Sequence, residues 1–140
     1  MFVYRGVSTS EIDEPVGRLA ARLDADIITI APSAGSVHGV EPSREIEVDH
    51  VVDEAPHVDV LVVPGGLGWK QVIDDDVIRG WLQRAAGEAR AILEISSGCL
   101  LLASVGRLDC RDATGHWLAE AELGALGANV GWVYTGMFMA

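Results

Sequence analysis

Residues 91–107 read AILEISSGCLLLASVGR: a short apolar run, then Ser96-Ser97-Gly98, then a second apolar run with helical character. Two hydroxyls and a glycine at a strand-to-helix corner suit a nucleophile held on a tight turn. Such a turn crowds the backbone, and small neighbours such as Ser97 and Gly98 relieve the crowding. The helix that follows aims its first amides at whatever Ser96 attacks, which favours a developing negative charge. This is the logic of a nucleophile elbow, although Glu94 stands where the G-x-S-x-G form has its first glycine. The same residues also fit a plain helix N-cap, a common place for serine.

Other residues with chemistry to offer fall around this corner. Pro64-Gly65-Gly66 ends the apolar run VDVLVV. Lacking Cβ atoms, Gly65 and Gly66 let backbone N–H groups approach a ligand, and with the Ser97 amide they would form an oxyanion hole. Gly-Gly serves equally as an ordinary turn after a strand. His116 lies just ahead of an expected helix and is either a base for Ser96 or a capping or surface residue. Glu11 follows the first strand and either enters the same crevice or is a solvated loop carboxylate.

Glu94 shares a strand face with Ile92 and Ser96 by the period of two. A charge there is costly unless it is paired or faces the crevice. Glu94 therefore reads as an acid, as a group orienting His116, or as a salt-bridge partner. Cys99 reads as a small buried core residue, and takes the corner from Ser96 only if the strand runs three residues longer. His38, His50 and His57, with Asp49, Asp53 and Glu54, have no ligand spacing, so a solvated edge is expected there and no metal. No cofactor is expected.

These residues sit in a chain of 140 residues, long enough for one domain with a useful core. Hydrophobic content of 49% and charged content of 22% are globular proportions. A net charge of −11 repels phosphate backbones, so nucleic acid is not an expected partner. Apolar runs are too short to cross a bilayer and no basic-then-apolar leader is seen, so a soluble cytoplasmic protein without membrane contact is expected. Cys99 and Cys110 are too few for a disulfide framework.

The elements that must position the corner alternate in kind. Residues 1–4 and 26–31 read as strands, and residues 14–23 as a helix with Pro15 in its first turn. Residues 37–52 suggest a hairpin or two edge strands around Gly39 and Pro42. Residues 58–63 read as a strand covered on both faces. Asp75 or Asp76 caps a helix to about Ala86, with Val77, Ile78, Trp81 and Leu82 inward. Residues 91–95 form the next buried strand, 98–105 a helix, 117–126 a helix closed by Gly127, and 129–134 a final strand. Strand–helix alternation implies an α/β layer fold with a mainly parallel sheet of about five or six strands, whose ligands bind at the strands' carboxyl ends. Both corners, PGG and SSG, then line one crevice if their strands are neighbours.

The order VLVVPGGLG, then ISSGCLLLASVGRLDCRDATGHW, resembles the ThiJ/PfpI superfamily within the class I glutamine amidotransferase-like fold. It is most similar to the branch of isonitrile hydratases and AraC-type sensor domains. The resemblance covers nearly the whole chain to about Gly127. It implies a flavodoxin-like three-layer sandwich with a nucleophile-elbow corner. It places the family's nucleophilic cysteine on Ser96, its following threonine on Ser97, its histidine on His116, its acidic partner on Glu11 and its oxyanion glycines on Gly65 and Gly66. Serine replaces the cysteine, Cys99 replaces a small apolar residue, and the tail GWVYTGMFMA departs from the family's further strand and helix. A serine hydroxyl needs a true base, so His116 would have to reach it.

The resulting expectation is a single domain over residues 1–140, shortened at its C-terminus. It would be a small enzyme acting on a carbonyl, amide or isonitrile-type carbon through Ser96, hydratase- or hydrolase-like. The alternative is a non-catalytic small-molecule-binding or structural member that has lost the thiol. A DNA-bound regulator is disfavoured by the charge and by the lack of a helix-turn-helix segment. A homodimer is an open possibility, built on exposed apolar surface around Trp132, Met137 and Phe138.

Overall fold

The computed structural model describes residues 1–41, 43–113 and 117–133. Its longest strands are the parallel pair β5 (Val60–Pro64) and β6 (Ala91–Ile95), joined in register from Val60 opposite Ala91 to Pro64 opposite Ile95. The two strands are adjacent, as the crevice requires. On the other side of β5 runs the segment of residues 1–4. The Phe2 amide donates to the Val62 carbonyl at 3.0 Å, and Val3 donates to Ile30 at 2.8 Å. Ile30 belongs to β1 (Ile30–Ala31), which pairs in parallel with β4 (His50–Val51). The parallel order is thus β4, β1, residues 1–4, β5, β6.

β2 (Ser36–His38) and β3 (Glu45–Glu47) form an antiparallel hairpin, as the Gly39 and Pro42 punctuation suggested. β7 (Arg111–Ala113) and β8 (Val130–Trp132) make a separate parallel pair.

Side chains of β5 divide the core by strand period. Leu61 and Val63 point into the larger core with Phe2, Tyr4 and Ile30, under α2 (Trp69–Ile73), α3 (Asp76–Glu88), α4 (Gly98–Ser104) and α5 (Trp117–Ala125). Val62 points the other way, onto Ile12 and Val16 beside and within α1 (Asp13–Leu23), with Leu93 and Ile95 of β6 against them. Helices therefore cover both faces of the sheet, the α/β flavodoxin-like sandwich.

Several boundaries move. The expected strand over residues 26–31 keeps only Ile30–Ala31, and among the described residues the final strand covers Val130–Trp132. α2 and β7 were not expected: five residues of helix and three of strand carry too little periodicity to announce themselves. Asp75 caps α3 as expected, its carboxylate accepting from the Val77 and Ile78 amides at 2.9 and 3.2 Å. Ile78, Trp81 and Leu82 are buried, but Val77 is 58% exposed, because that close to the cap it faces solvent. β6 is less enclosed than its apolar sequence implied. Its paired partner lies on one side only among the described residues, and Ala91 and Ile92 are exposed. Trp132 is partly buried against the main core rather than presented to solvent, while Met137 and Phe138 lie outside the described residues. Among the described residues no helix is long and apolar enough to cross a membrane.

Candidate active site

The corner after β6 is built from backbone strain and close glycine contacts. Ser96 adopts φ 55°, the left-handed region that non-glycine residues avoid. The cap position of α4 falls on Ser97, whose side chain makes no cap bond, so the strained residue just before it fits an elbow. Holding serine there costs on the order of 1–3 kcal/mol, which the surrounding packing must supply.

That packing is explicit. A Cβ on Gly98 would lie 2.0 Å from the Val63 carbonyl oxygen, and one on Gly65 would lie 2.6 Å from the Ser97 amide nitrogen. Both positions must be glycine for the end of β5 to press against the start of α4. Across this contact the Gly66 amide donates to Ser97 Oγ at 3.1 Å. PGG and SSG therefore meet in one place, and Ser97 contributes its hydroxyl as well as its backbone. The Gly66 amide, expected to face a ligand, is satisfied by Ser97 in this structure.

The loop after residues 1–4 closes the other side. Tyr4 Oη donates to the Pro64 carbonyl at 2.9 Å, Ser8 N–H donates to the Gly65 carbonyl at 2.9 Å, and Val7 bridges Gly66. Burial, with the charge of Glu11 adding, holds the Tyr4 phenol above its ordinary range. Glu11 is exposed, in the loop whose Ser8 amide bonds Gly65, and its charge reaches Tyr4. His116 lies outside the described residues.

Glu94 and Cys99 lie beneath the corner. Cys99 is fully buried, and burial first, then the nearby Glu94, pushes its thiol up to about 12. It is an inert core thiol, one turn too deep to be the nucleophile. Glu94 is half-buried with Oε2 lacking a hydrogen-bond partner among the described residues, and burial pushes its carboxyl up to about 7. It lines a cleft of about 730 Å³ between β6 and β7 with Ile92, Leu102 and Arg111. No salt bridge to Glu94 is found among the described residues.

Of the six expected site residues, Gly65, Gly66 and Ser97 meet with Ser96 adjoining them, and Glu11 lies in the loop whose Ser8 amide bonds Gly65. Of the remaining candidates, His38 pairs with Glu45 at 3.7 Å and Asp49 accepts from the Thr29 amide at 2.8 Å. The sequence reading missed Tyr4, whose aromatic ring among apolar residues looked like core alone, and Thr9 and Glu41, which brace the Glu11 loop. A threonine before Ser-Glu carries no local sign of a partner 32 positions away.

Known proteins share this architecture. An isonitrile hydratase from Pseudomonas putida is 33% identical over 103 residues, 74% of this chain and 42% of the hydratase. The HTH-type transcriptional regulator GbdR of Pseudomonas aeruginosa is 33% identical over 79 residues, 56% of this chain and 21% of the regulator. The crystal structure of a ThiJ/PfpI family protein from Pseudomonas syringae superposes with a TM-score of 0.81 at 24% identity, covering 95% of this chain and 61% of that one. This chain thus spans less than two thirds of each of these relatives. Residues 1–134 match the DJ-1/PfpI family, and the chain belongs to that family.

Proposed function

We propose that the corner is a small-molecule site of isonitrile-hydratase type, in which Ser96 attacks an electrophilic carbon. The carrying observation is the φ of 55° at Ser96, a strained conformation at the carboxyl end of β6. The likeness to the P. putida hydratase supports an isonitrile as the substrate class.

In this reading Ser96 Oγ adds to the terminal carbon of an isonitrile, R–N≡C, and its proton passes to the carbon, giving an imidate ester on Ser96. Water then adds to the same carbon, the C–Oγ bond breaks, and Ser96 recovers a proton. The net change consumes one water and yields the formamide R–NH–CHO. His116 serves as base and Glu11 as its acidic partner at the rim. Ser97 Oγ accepts from Gly66 and so keeps its own hydroxyl proton free to donate to the substrate. Gly65 holds the approach close enough for that donation.

A binding-only domain is the second reading, favoured by one observation. The Gly66 amide is already satisfied by Ser97 instead of waiting for an oxyanion. GbdR, a regulator, is similar to 56% of this chain.

The deciding experiment supplies an alkyl isonitrile and follows formamide by mass spectrometry for the parent and for Ser96→Ala. Turnover that falls at least a hundredfold on substitution supports the catalytic reading. Saturable isonitrile binding by calorimetry with no formamide supports the second. Neither turnover nor binding would overturn both.

A further inference from the structure

Glu41 lies 30 positions after Glu11 in sequence, yet it braces the loop that carries Glu11. Its Oε2 accepts from the Thr9 amide at 3.2 Å and from Thr9 Oγ1 at 2.5 Å. Thr9 is fully exposed to neither solvent nor the site; it is completely buried, the one polar side chain so enclosed among the described residues. The Ile12 amide donates to the Thr9 carbonyl at 3.4 Å, so Thr9 opens the turn in which Glu11 stands.

The backbone around Glu41 reinforces the brace. Val40 N–H donates to the Val7 carbonyl at 2.8 Å and Gly6 N–H to the His38 carbonyl at 2.9 Å. Gly39 packs so closely that a Cβ there would lie 2.6 Å from Thr9 Cγ2. On its inner side the same loop presses on the glycine segment that meets Ser97, through Ser8 to Gly65 and Val7 to Gly66. The Glu11 loop is thus clamped between the segment of residues 38–41 outside and residues 65–68 inside.

We propose that Glu41 is a positioning residue for the Ser96 site, acting through Thr9 to hold Glu11 at the corner. This rests on the functional reading above, in which Glu11 faces the nucleophile. The bonds from Thr9 and Ser10 hold the Glu41 carboxyl down to about 2, so it stays an ionised acceptor over the whole working range. Its contribution is geometric: without the acceptor, Thr9 loses two bonds and the turn bearing Glu11 is free to drift.

The test uses Ser96→Cys as a background, because a corner thiol reports its surroundings through the pH midpoint of its alkylation rate. Glu11→Gln in that background should move the midpoint by about one pH unit, as expected of a neighbouring carboxyl. Glu41→Ala should move it in the same direction by most of that amount, and should add nothing once Glu11 is already glutamine. Glu41→Gln keeps an acceptor for Thr9 and should restore the Ser96→Cys midpoint. Thr9→Val, near in volume, removes the hydroxyl bond alone and should give an intermediate shift in protein that still unfolds cooperatively. A midpoint that Glu11→Gln moves and neither Glu41→Ala nor Thr9→Val moves would overturn the positioning role while leaving the site intact. A midpoint that Glu11→Gln itself leaves in place would overturn the placement of Glu11 at the corner, and the positioning role with it.

Discussion

Replacing Ser96 by glycine should relieve backbone strain at the corner and make this protein more stable than the alanine variant. The magnitude follows from the backbone. An L-residue in the left-handed region costs roughly 1–2 kcal/mol relative to glycine, and Ser96 sits there at φ 55°. Glycine gives back about 0.4–1 kcal/mol through the extra freedom of its unfolded chain. The difference of the two mid-range values is about 0.8 kcal/mol in favour of glycine. Serine itself is a poor reference, because losing its hydroxyl changes hydrogen bonding. The clean comparison is Ser96→Gly against Ser96→Ala, two side chains without a hydroxyl that differ in their tolerance of positive φ. Urea titration followed by tryptophan fluorescence should show a higher midpoint for Ser96→Gly than for Ser96→Ala at equal slope. The melting temperature should follow by about 2–4 °C. In most backbone settings the order is reversed, since glycine costs about 0.5–1 kcal/mol relative to alanine in a regular element. An alanine variant as stable as the glycine variant, or more so, would refute a strained elbow at Ser96 and return Ser-Ser-Gly to a plain cap.

Further outcomes follow from other residues. Gly65→Ala places a methyl 2.6 Å from the Ser97 amide nitrogen and should cost about 1–3 kcal/mol. Gly124→Ala, in exposed helix with nothing within 4 Å, should instead gain up to about 1 kcal/mol; urea midpoints compare the two. Glu94, its carboxyl raised to about 7 by burial, binds more protons folded than unfolded between its ordinary value and 7. Stability should therefore fall as pH rises through that window, and Glu94→Gln should flatten the dependence, as read by thermal melts from pH 4 to 8. Iodoacetamide on the native protein should label exposed Cys110 and spare Cys99, which becomes reactive only on unfolding; mass spectrometry of the digest assigns the sites.

Much of the corner was legible in the chain alone, because its signals are local. A strand run ending in small residues, Pro-Gly-Gly and Ser-Ser-Gly, marks where backbones turn sharply, and glycine is needed wherever a Cβ would collide. Asp75 as a cap and Gly127 as a terminator follow the same local chemistry, the latter with φ 70°. Their order along the chain also carried the family. Tertiary structure alone decided what depends on partners distant in sequence. Ser96 and Ser97 are identical residues, yet one is held at positive φ and the other accepts a bond from Gly66, 31 positions earlier. Glu94 and Glu41 are both glutamates in short apolar or polar runs. Burial drives one up to about 7, and Thr9 and Ser10 hold the other down to about 2. Covalent and steric preferences act within a few residues and are written into the sequence. Desolvation and hydrogen-bond pairing depend on which surfaces meet, and only the folded chain brings them together.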